Sequence, residues 1–147
     1  MKKTDLAYAA GLFDGEGCIT ITKQYYKKAD GSKSYFHVLR LTVGMTDDWP
    51  IQWLADHLAG NISPHKPTNK KYRMQWRWEA RGRQAERALR LMMPWLKVKK
   101  KQAEFALLFR GTFTNCTKKT LPEMFGLREA FYNRMKTIKQ VTVPCQT

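Results

Sequence analysis

AYAAGLFDGEG, residues 7–17, is the stretch of this sequence that decides the fold. It predicts a short helix whose N-cap is Thr4 or Asp5 and which ends at the two glycines on either side of Glu16. Small residues recur at every fourth position and therefore share one face of this helix: Ala7, Gly11 and Gly15. A face with so few side-chain atoms lets another backbone come close. The stretch then sets the Glu16 carboxylate at the end of that contact.

Residues 9–17 resemble the nine-residue signature of the LAGLIDADG homing endonucleases, with Glu16 at the position of its second acidic residue. In that family the motif helices of two domains pack side by side, and the acidic residue at each helix foot binds a divalent metal ion. The resemblance implies that Glu16 and the Gly15 carbonyl bind Mg²⁺ or another divalent cation such as Mn²⁺. It also implies a homodimer interface that contains Ala7, Ala10, Gly11 and Asp14. The motif alone leaves open a tightly packed helix that ends in an Asp-Gly turn, with Glu16 in solvent.

The resemblance extends over roughly residues 4–110 and is closest to the single-motif branch of the family. Residues 94–103, PWLKVKKKQA, are similar to the basic segment that follows the second sheet hairpin, and the catalytic lysine of that segment then falls on Lys99. An alternative is that residues 97–101 are a basic run at a helix start that touches the phosphate backbone.

At position 47 the chain departs from that branch, which tends to have a polar amide that holds solvent near the metal ions. Asp47 stands there and is predicted either to orient catalytic water or to cap the following helix. The branch has an arginine a few residues after this position. In this chain that arginine would fall near Ile51, and an isoleucine cannot replace it. The candidates to replace that arginine are Arg40, Arg73 and Arg77.

Composition limits the class of protein. At 147 residues the chain can bury one core, so residues 1–147 are predicted to form a single domain. A net charge of +15 favours a polyanionic partner, most simply nucleic acid. The three cysteines and three histidines lack zinc spacing, which predicts reduced thiols in an intracellular, cytosolic or organellar compartment. Neither a transmembrane segment nor a secretion signal is expected, because the apolar runs are too short.

The order of elements predicts the fold class. Strands are predicted where apolar and polar residues alternate or a short extended run occurs, at residues 18–24, 35–45, 61–66 and 72–80. Helical spacing follows the first and second pairs of strands, and Thr120 is predicted to cap a last helix. This order is typical of an α+β domain of the LAGLIDADG type, αββαββα, with an antiparallel DNA-binding sheet and C-terminal helices.

Polar residues of the predicted strands and turns are candidates for contact with DNA. The outward side chains of the strands are Thr20, Thr22, Gln24, Arg40, Thr42, Arg73, Gln75 and Arg77. Arg and Gln suit base edges in the major groove, and Thr adds hydrogen bonds or a methyl contact. Lysines of two basic turns would meet phosphates: Lys27, Lys28, Lys33, Lys70 and Lys71. An ordinary solvated sheet face, which alternates in the same way, is the alternative.

The chain carries a single copy of the nine-residue motif, which has a consequence for the chemistry. Cutting both DNA strands needs two centres, so a chain with one Glu16 is predicted to act as a homodimer on a roughly palindromic double-stranded target. The resemblance implies metal-dependent cleavage that leaves 3′ overhangs, with Lys99 stabilising charge in the transition state. Two other functions stay open. One is a LAGLIDADG-type RNA maturase or a non-cleaving DNA-binding regulator, and the other is a structural RNA-binding protein such as a ribosomal component.

Overall fold

A computed structural model describes residues 1–69, 71–113 and 122–141 of the chain. Within those ranges the elements follow the predicted order of a helix, two strands, a helix, two strands and then helices, and the strands form one four-stranded sheet. The elements in chain order are α1 (Lys3–Glu16), β1 (Gly17–Lys27), β2 (Lys33–Met45), α2 (Trp49–Leu58), β3 (Asn61–His65), β4 (Gln75–Arg81), α3 (Gly82–Met92), α4 (Lys100–Gly111) and α5 (Pro122–Val141). This arrangement confirms the predicted α+β class.

The sheet is antiparallel and has the strand order β1-β2-β4-β3. β1 and β2 form a long hairpin in which Gly17 pairs with Val43 and Lys27 pairs with Lys33. Because β4 follows β3 but pairs with β2, the second hairpin extends the same sheet. Every second residue therefore points to the same side across all the strands.

The apolar side of the sheet forms the core together with the helices. Its inward residues have no more than 5% of their surface exposed: Ile19, Ile21, Leu39, Leu41, Val43 and Trp78. The indole of Trp78 donates a hydrogen bond to the carbonyl of Ala59, at 2.7 Å, so its polar atom is satisfied. Gly60 makes this contact possible, because its φ is +114° and a Cβ there would lie 2.6 Å from Trp78 Nε1.

The junction between α1 and β1 differs from the prediction. The helix begins at Lys3 and runs through Gly15 to Glu16, so neither Thr4 nor Asp5 is its N-cap. Asp5 instead accepts a hydrogen bond from the Lys2 N–H at 2.9 Å, as the third residue of the helix. Gly17 starts the strand in extended backbone (φ −78°, ψ 156°). A Cβ at Gly17 would lie 2.5 Å from Phe13 Cδ2, so space rather than backbone freedom requires glycine here.

Other element ends also differ. β4 begins at Gln75, and the exposed Arg73 lies in the preceding turn rather than in the strand. The ladders with β2 and β3 end at the Met45–Trp76 and His65–Gln75 pairs, so residues 72–74 have no pairing partner and the alternation there does not become strand. The predicted cap Thr120 lies outside the described residues. Among the helices described above, none is long and apolar enough to span a membrane.

The last helix is held against the sheet by a polar cluster. Glu129 of α5 accepts from the Lys23 ammonium at 2.6 Å and lies 2.8 Å from His37 Nε2. His37 is 2% exposed, on the inward side of β2, with the ring of Phe125 at 5.4 Å from its own. These contacts cover the outer part of the first hairpin on its helix side only, so the opposite side of the sheet stays open.

Candidate functional site

The end of α1 is joined to the basic segment that precedes α4. The Asp14 carboxylate accepts backbone N–H bonds from Lys97 at 2.7 Å, Val98 at 3.2 Å and Lys99 at 2.9 Å. Burial raises the pKa of Asp14, but the bonds from Lys97, Lys99 and Val98 outweigh it and hold the pKa below its ordinary value. Asp14 thus holds the segment that leads into α4 from a distant part of the chain.

The same contact positions the Lys99 side chain. Its ammonium donates a hydrogen bond to the Asp14 carbonyl, at the last turn of α1. Lys99 is half-buried, whereas Gly15 and Glu16, which follow Asp14, are exposed. Within the described ranges Glu16 takes part in no ion pair. The structure therefore fixes the Lys99 ammonium on the last turn of α1, and the exposed Glu16 is the last residue of that same helix.

The residues of the predicted dimer interface divide into two sets. Ala7, Gly11 and Gly15 are exposed along one face of α1. Ala10 is completely buried in the core of its own chain, so its side chain is not on that face. Asp14 is committed to the hydrogen bonds with residues 97–99. A Cβ at Gly11 or Gly15 would meet nothing within 4 Å, so the described chain itself does not require glycine at either position.

Asp47 makes the helix-start contact that is one of its two predicted roles. Its Oδ1 accepts a hydrogen bond from the Trp49 N–H at 3.1 Å, and its side chain is exposed. Ile51 is fully buried. Of the candidate arginines, Arg77 lies nearest to the end of α1 in register, since it pairs with Gly44, next to the Gly17–Val43 pair.

The open side of the sheet carries the predicted strand residues. Strand register places Thr20 beside Arg40 and Thr42 beside Glu79, while Gln75 and Arg77 follow on β4. The remaining outward candidates on β1 are Thr22 and Gln24. At least one hydroxyl group of this face is hydrogen-bonded within the sheet: Thr20 Oγ1 donates to the Arg40 carbonyl at 3.2 Å. The result is a mostly polar surface, in which Val38, opposite Thr22, is an apolar exception.

Sequence reasoning missed several residues of this surface. They are Tyr26 and Phe36 near the hairpin tip, Asn61, Ser63 and His65 of β3, and Arg81 at the end of β4. Tyr26 and Phe36 are 46% and 44% exposed and their ring centroids lie 5.9 Å apart. Alternation in β3 is a usable signal, but Pro64 obscures it, because proline is uncommon inside strands. Pro64 is tolerated here since β3 is an edge strand.

The predicted lysines surround this surface. Lys27, Lys28 and Lys33 are exposed at the tip of the first hairpin. Asp30 shapes that tip by accepting from the Ser32 N–H at 2.8 Å. Lys71 is exposed in the turn before β4, and Lys70 lies outside the described residues.

An acidic residue, Glu79, lies within the polar surface. It accepts from Arg40 Nε at 2.6 Å through Oε2, and Arg81 Nε donates to its other oxygen. Burial raises the pKa of Glu79, but the hydrogen bonds from Arg81 and Arg40 lower it below its ordinary value. The carboxylate is therefore charged at neutral pH and joins two arginines.

Neither a protein-family model nor a curated protein matches the sequence. Solved structures do match. The homing endonuclease I-CvuI in complex with its target is similar with a TM-score of 0.69 and 19% identity, over 98% of this chain and 85% of that one. The archaeal intron-encoded homing endonuclease I-Vdi141I, complexed with DNA, gives 0.72 and 10%, over 100% and 89%. The group I intron-encoded homing endonuclease I-CeuI, also complexed with DNA, gives 0.71 and 14%, over 91% and 67%. The chain therefore has the LAGLIDADG homing endonuclease fold, as the sequence predicts.

Proposed function

We propose that this chain is a site-specific DNA endonuclease that acts as a homodimer and hydrolyses both strands of a roughly palindromic target with divalent cations. The observation that carries the proposal is the bond between the Asp14 carboxylate and residues 97–99. Together with the bond from the Lys99 ammonium to the Asp14 carbonyl, it fixes Lys99 on the last turn of α1, the helix that ends at the exposed Glu16. A carboxylate and a lysine fixed at one end of a polar sheet are suited to phosphodiester cleavage.

DNA binding is supported by the open side of the sheet and by the charge of the chain. The sheet side presents arginine, glutamine and threonine at regular strand spacing, and lysines border it. A net charge of +15 favours contact with phosphates. The similar structures of I-CvuI and I-Vdi141I are complexes with DNA, which supports the same partner for this chain.

Divalent cations fit the oxygen atoms at the foot of α1. Glu16 would supply a carboxylate, and Gly15 would supply a carbonyl from the last helical turn, where carbonyls lack a partner within the helix. When bound, Mg²⁺ would neutralise phosphate charge and activate a water molecule. Homing endonuclease I-CvuI has been solved with DNA in the presence of Ca and of Mg, which supports this choice.

One chain offers an incomplete set of metal ligands. In the parts of the chain that the structure describes, no three His, Cys, Asp or Glu side chains come together in a way that could hold a metal ion. A second Glu16 from a partner chain, with phosphate oxygens of the target, would complete the set. Lys99 would stabilise the negative charge that develops on the phosphate, and Asp14 would act as its positioning residue.

The exposed face of α1 supports the homodimer. Glycine inside a helix is less favourable than alanine by about 1 kcal/mol, and nothing within the described chain requires it at Gly11 or Gly15. A dimer in which an identical helix approaches closely would explain why both positions are glycine. Such a contact is self-complementary about a twofold axis. Twofold symmetry then implies a roughly palindromic target, and the fold resemblance implies 3′ overhangs.

Glu16→Gln tests the proposed chemistry. We expect this variant to bind the same DNA site as the wild type but not to cut it in Mg²⁺, because it removes the carboxylate charge and leaves the sheet surface intact. The measurement is selection of binding sites from a randomised duplex pool, followed by cleavage of the selected duplex. Glu104→Gln, an exposed change on α4, is the matched control and should cut like the wild type.

Two results would overturn parts of the proposal. Equal loss of binding and cleavage in Glu16→Gln would make Glu16 a structural residue. A site that the wild type selects and leaves intact in Mg²⁺ would make the protein a binder, and RNA would be the next ligand to test.

A further inference from the structure

We propose that Glu79 holds Arg40 and Arg81 as a pair of guanine-reading side chains in each half of the DNA target. The inference rests on the proposed function, since it assigns a base preference to the open side of the sheet. Three side chains carry it, and they come from adjacent strands, β2 and β4.

The three side chains differ in how far they are exposed to solvent. Glu79 has 13% of its side chain exposed, Arg40 has 30% and Arg81 has 51%. The carboxylate is therefore the deepest of the three groups, and the two guanidinium groups are the more accessible ones. A ligand that approaches this surface would meet the arginines before it meets the glutamate.

The hydrogen bonds leave suitable donors available. Arg40 uses Nε and Nη2 on one oxygen of Glu79, and Arg81 uses Nε on the other oxygen. Each guanidinium carries five N–H donors, so both keep N–H groups at their outer end. Guanine presents O6 and N7 in the major groove, and a guanidinium fork matches these two acceptors.

Charge explains why an acidic residue lies within a surface that is proposed to bind a polyanion. Strand register places Arg40 directly opposite Arg81, and like charges in that position repel. The Glu79 carboxylate lies between them and offsets this repulsion. Its negative charge disfavours nearby phosphates at the same time, so we infer that Glu79 promotes base selection rather than affinity for DNA in general.

The test compares base preference with general affinity in the full-length protein. Sites are selected from a randomised duplex pool in Ca²⁺ by the wild type, Glu79→Gln, Arg40→Lys and Arg90→Lys. The wild type should select guanine at symmetry-related positions, by about 5- to 150-fold over other bases, the range for a bidentate contact. Glu79→Gln and Arg40→Lys should both lose that preference, to under about 5-fold, at the same positions.

Arg90→Lys is the matched control, because Arg90 is an exposed arginine that also forms an ion pair with a glutamate, Glu86, but lies on α3 and not on the open side of the sheet. It should leave the guanine preference at those positions unchanged. Affinity for unselected DNA should rise or stay level in Glu79→Gln, since the variant removes a negative charge. A merely structural role would instead lower affinity for all sequences together with the melting temperature.

The outcomes separate this inference from the proposed function. The inference is overturned if the wild type selects a site without guanine at symmetry-related positions. It is also overturned if Glu79→Gln keeps the guanine preference of the wild type. Neither result contradicts DNA binding. Failure of the wild type to select any duplex would overturn both. If Glu79→Gln fails to fold, Arg40→Lys decides, and retention of the guanine preference in that variant would overturn the inference.

Discussion

At the scale of single residues, the Asp14 carboxylate joins two segments that are 83 residues apart in sequence. The motif resemblance singled out Asp14, Glu16 and Lys99, and the structure shows that Asp14 and Lys99 are in contact. The resemblance did not predict that Asp14 bonds to the backbone before α4, because a contact between distant segments leaves no periodic signal. The sequence also could not show that Ala10 is turned into the core while Gly11 is exposed.

Asp14→Asn should reduce stability in a pH-dependent way. The folded-state pKa of Asp14 lies below its ordinary value of 3.8, so the carboxylate stabilises the fold above that pH. The contribution is lost as the pH falls through the lower, folded-state pKa. We expect Asp14→Asn to lower the free energy of unfolding by about 1–3 kcal/mol at pH 7. Urea titrations of both proteins at pH 7 and pH 3 measure this, and a difference that does not shrink at pH 3 would contradict it.

Lys99→Gln distinguishes a catalytic lysine from a basic run that only touches phosphate. We expect kcat to fall by about 10²–10³-fold with little change in DNA affinity, the cost of losing one charge-stabilising donor. Lys101→Gln, an exposed change on the same segment, should instead weaken binding slightly and leave kcat intact. Single-turnover cleavage and equilibrium binding separate these effects. Equal, small changes in both variants would argue for the basic run.

At the scale of elements, strands with one apolar face were predictable and their ends were not. Alternation over residues 35–45 identifies β2, because burial on one side requires a period of two. The start of β4 and the whole of β3 depend on pairing with distant strands, and pairing partners do not appear in local sequence. Gly17 is a similar case, since its need for space comes from the Phe13 ring.

Gly11→Leu should separate dimer formation from folding. The position is exposed and has open space around it, so we expect the variant to fold but to be monomeric, both alone and on DNA. Gly126→Leu is the matched control, because Gly126 is also an exposed helical glycine with open space. Sedimentation velocity measures both. A dimeric Gly11→Leu variant, or a monomeric wild type on DNA, would remove the proposed interface.

At the scale of the whole molecule, charge and architecture point to the same partner. The helices cover one side of the sheet and leave the polar side open, while 27 Lys and Arg against 12 Asp and Glu make the chain strongly basic. Charge and fold class were both predictable, because each depends on many residues. The pairing of Glu79 with Arg40 and Arg81 was not, since it is set by the register between β2 and β4.

The most direct measurement is the fate of each strand when the selected duplex is incubated with the wild-type protein and Mg²⁺. With the strands labelled separately, a denaturing gel should show one cut in each strand, staggered to leave 3′ overhangs. Cleavage should disappear when the metal is chelated. An intact duplex, or cutting that persists without divalent metal, would contradict the proposal that Glu16 and Lys99 form a metal-dependent nuclease site.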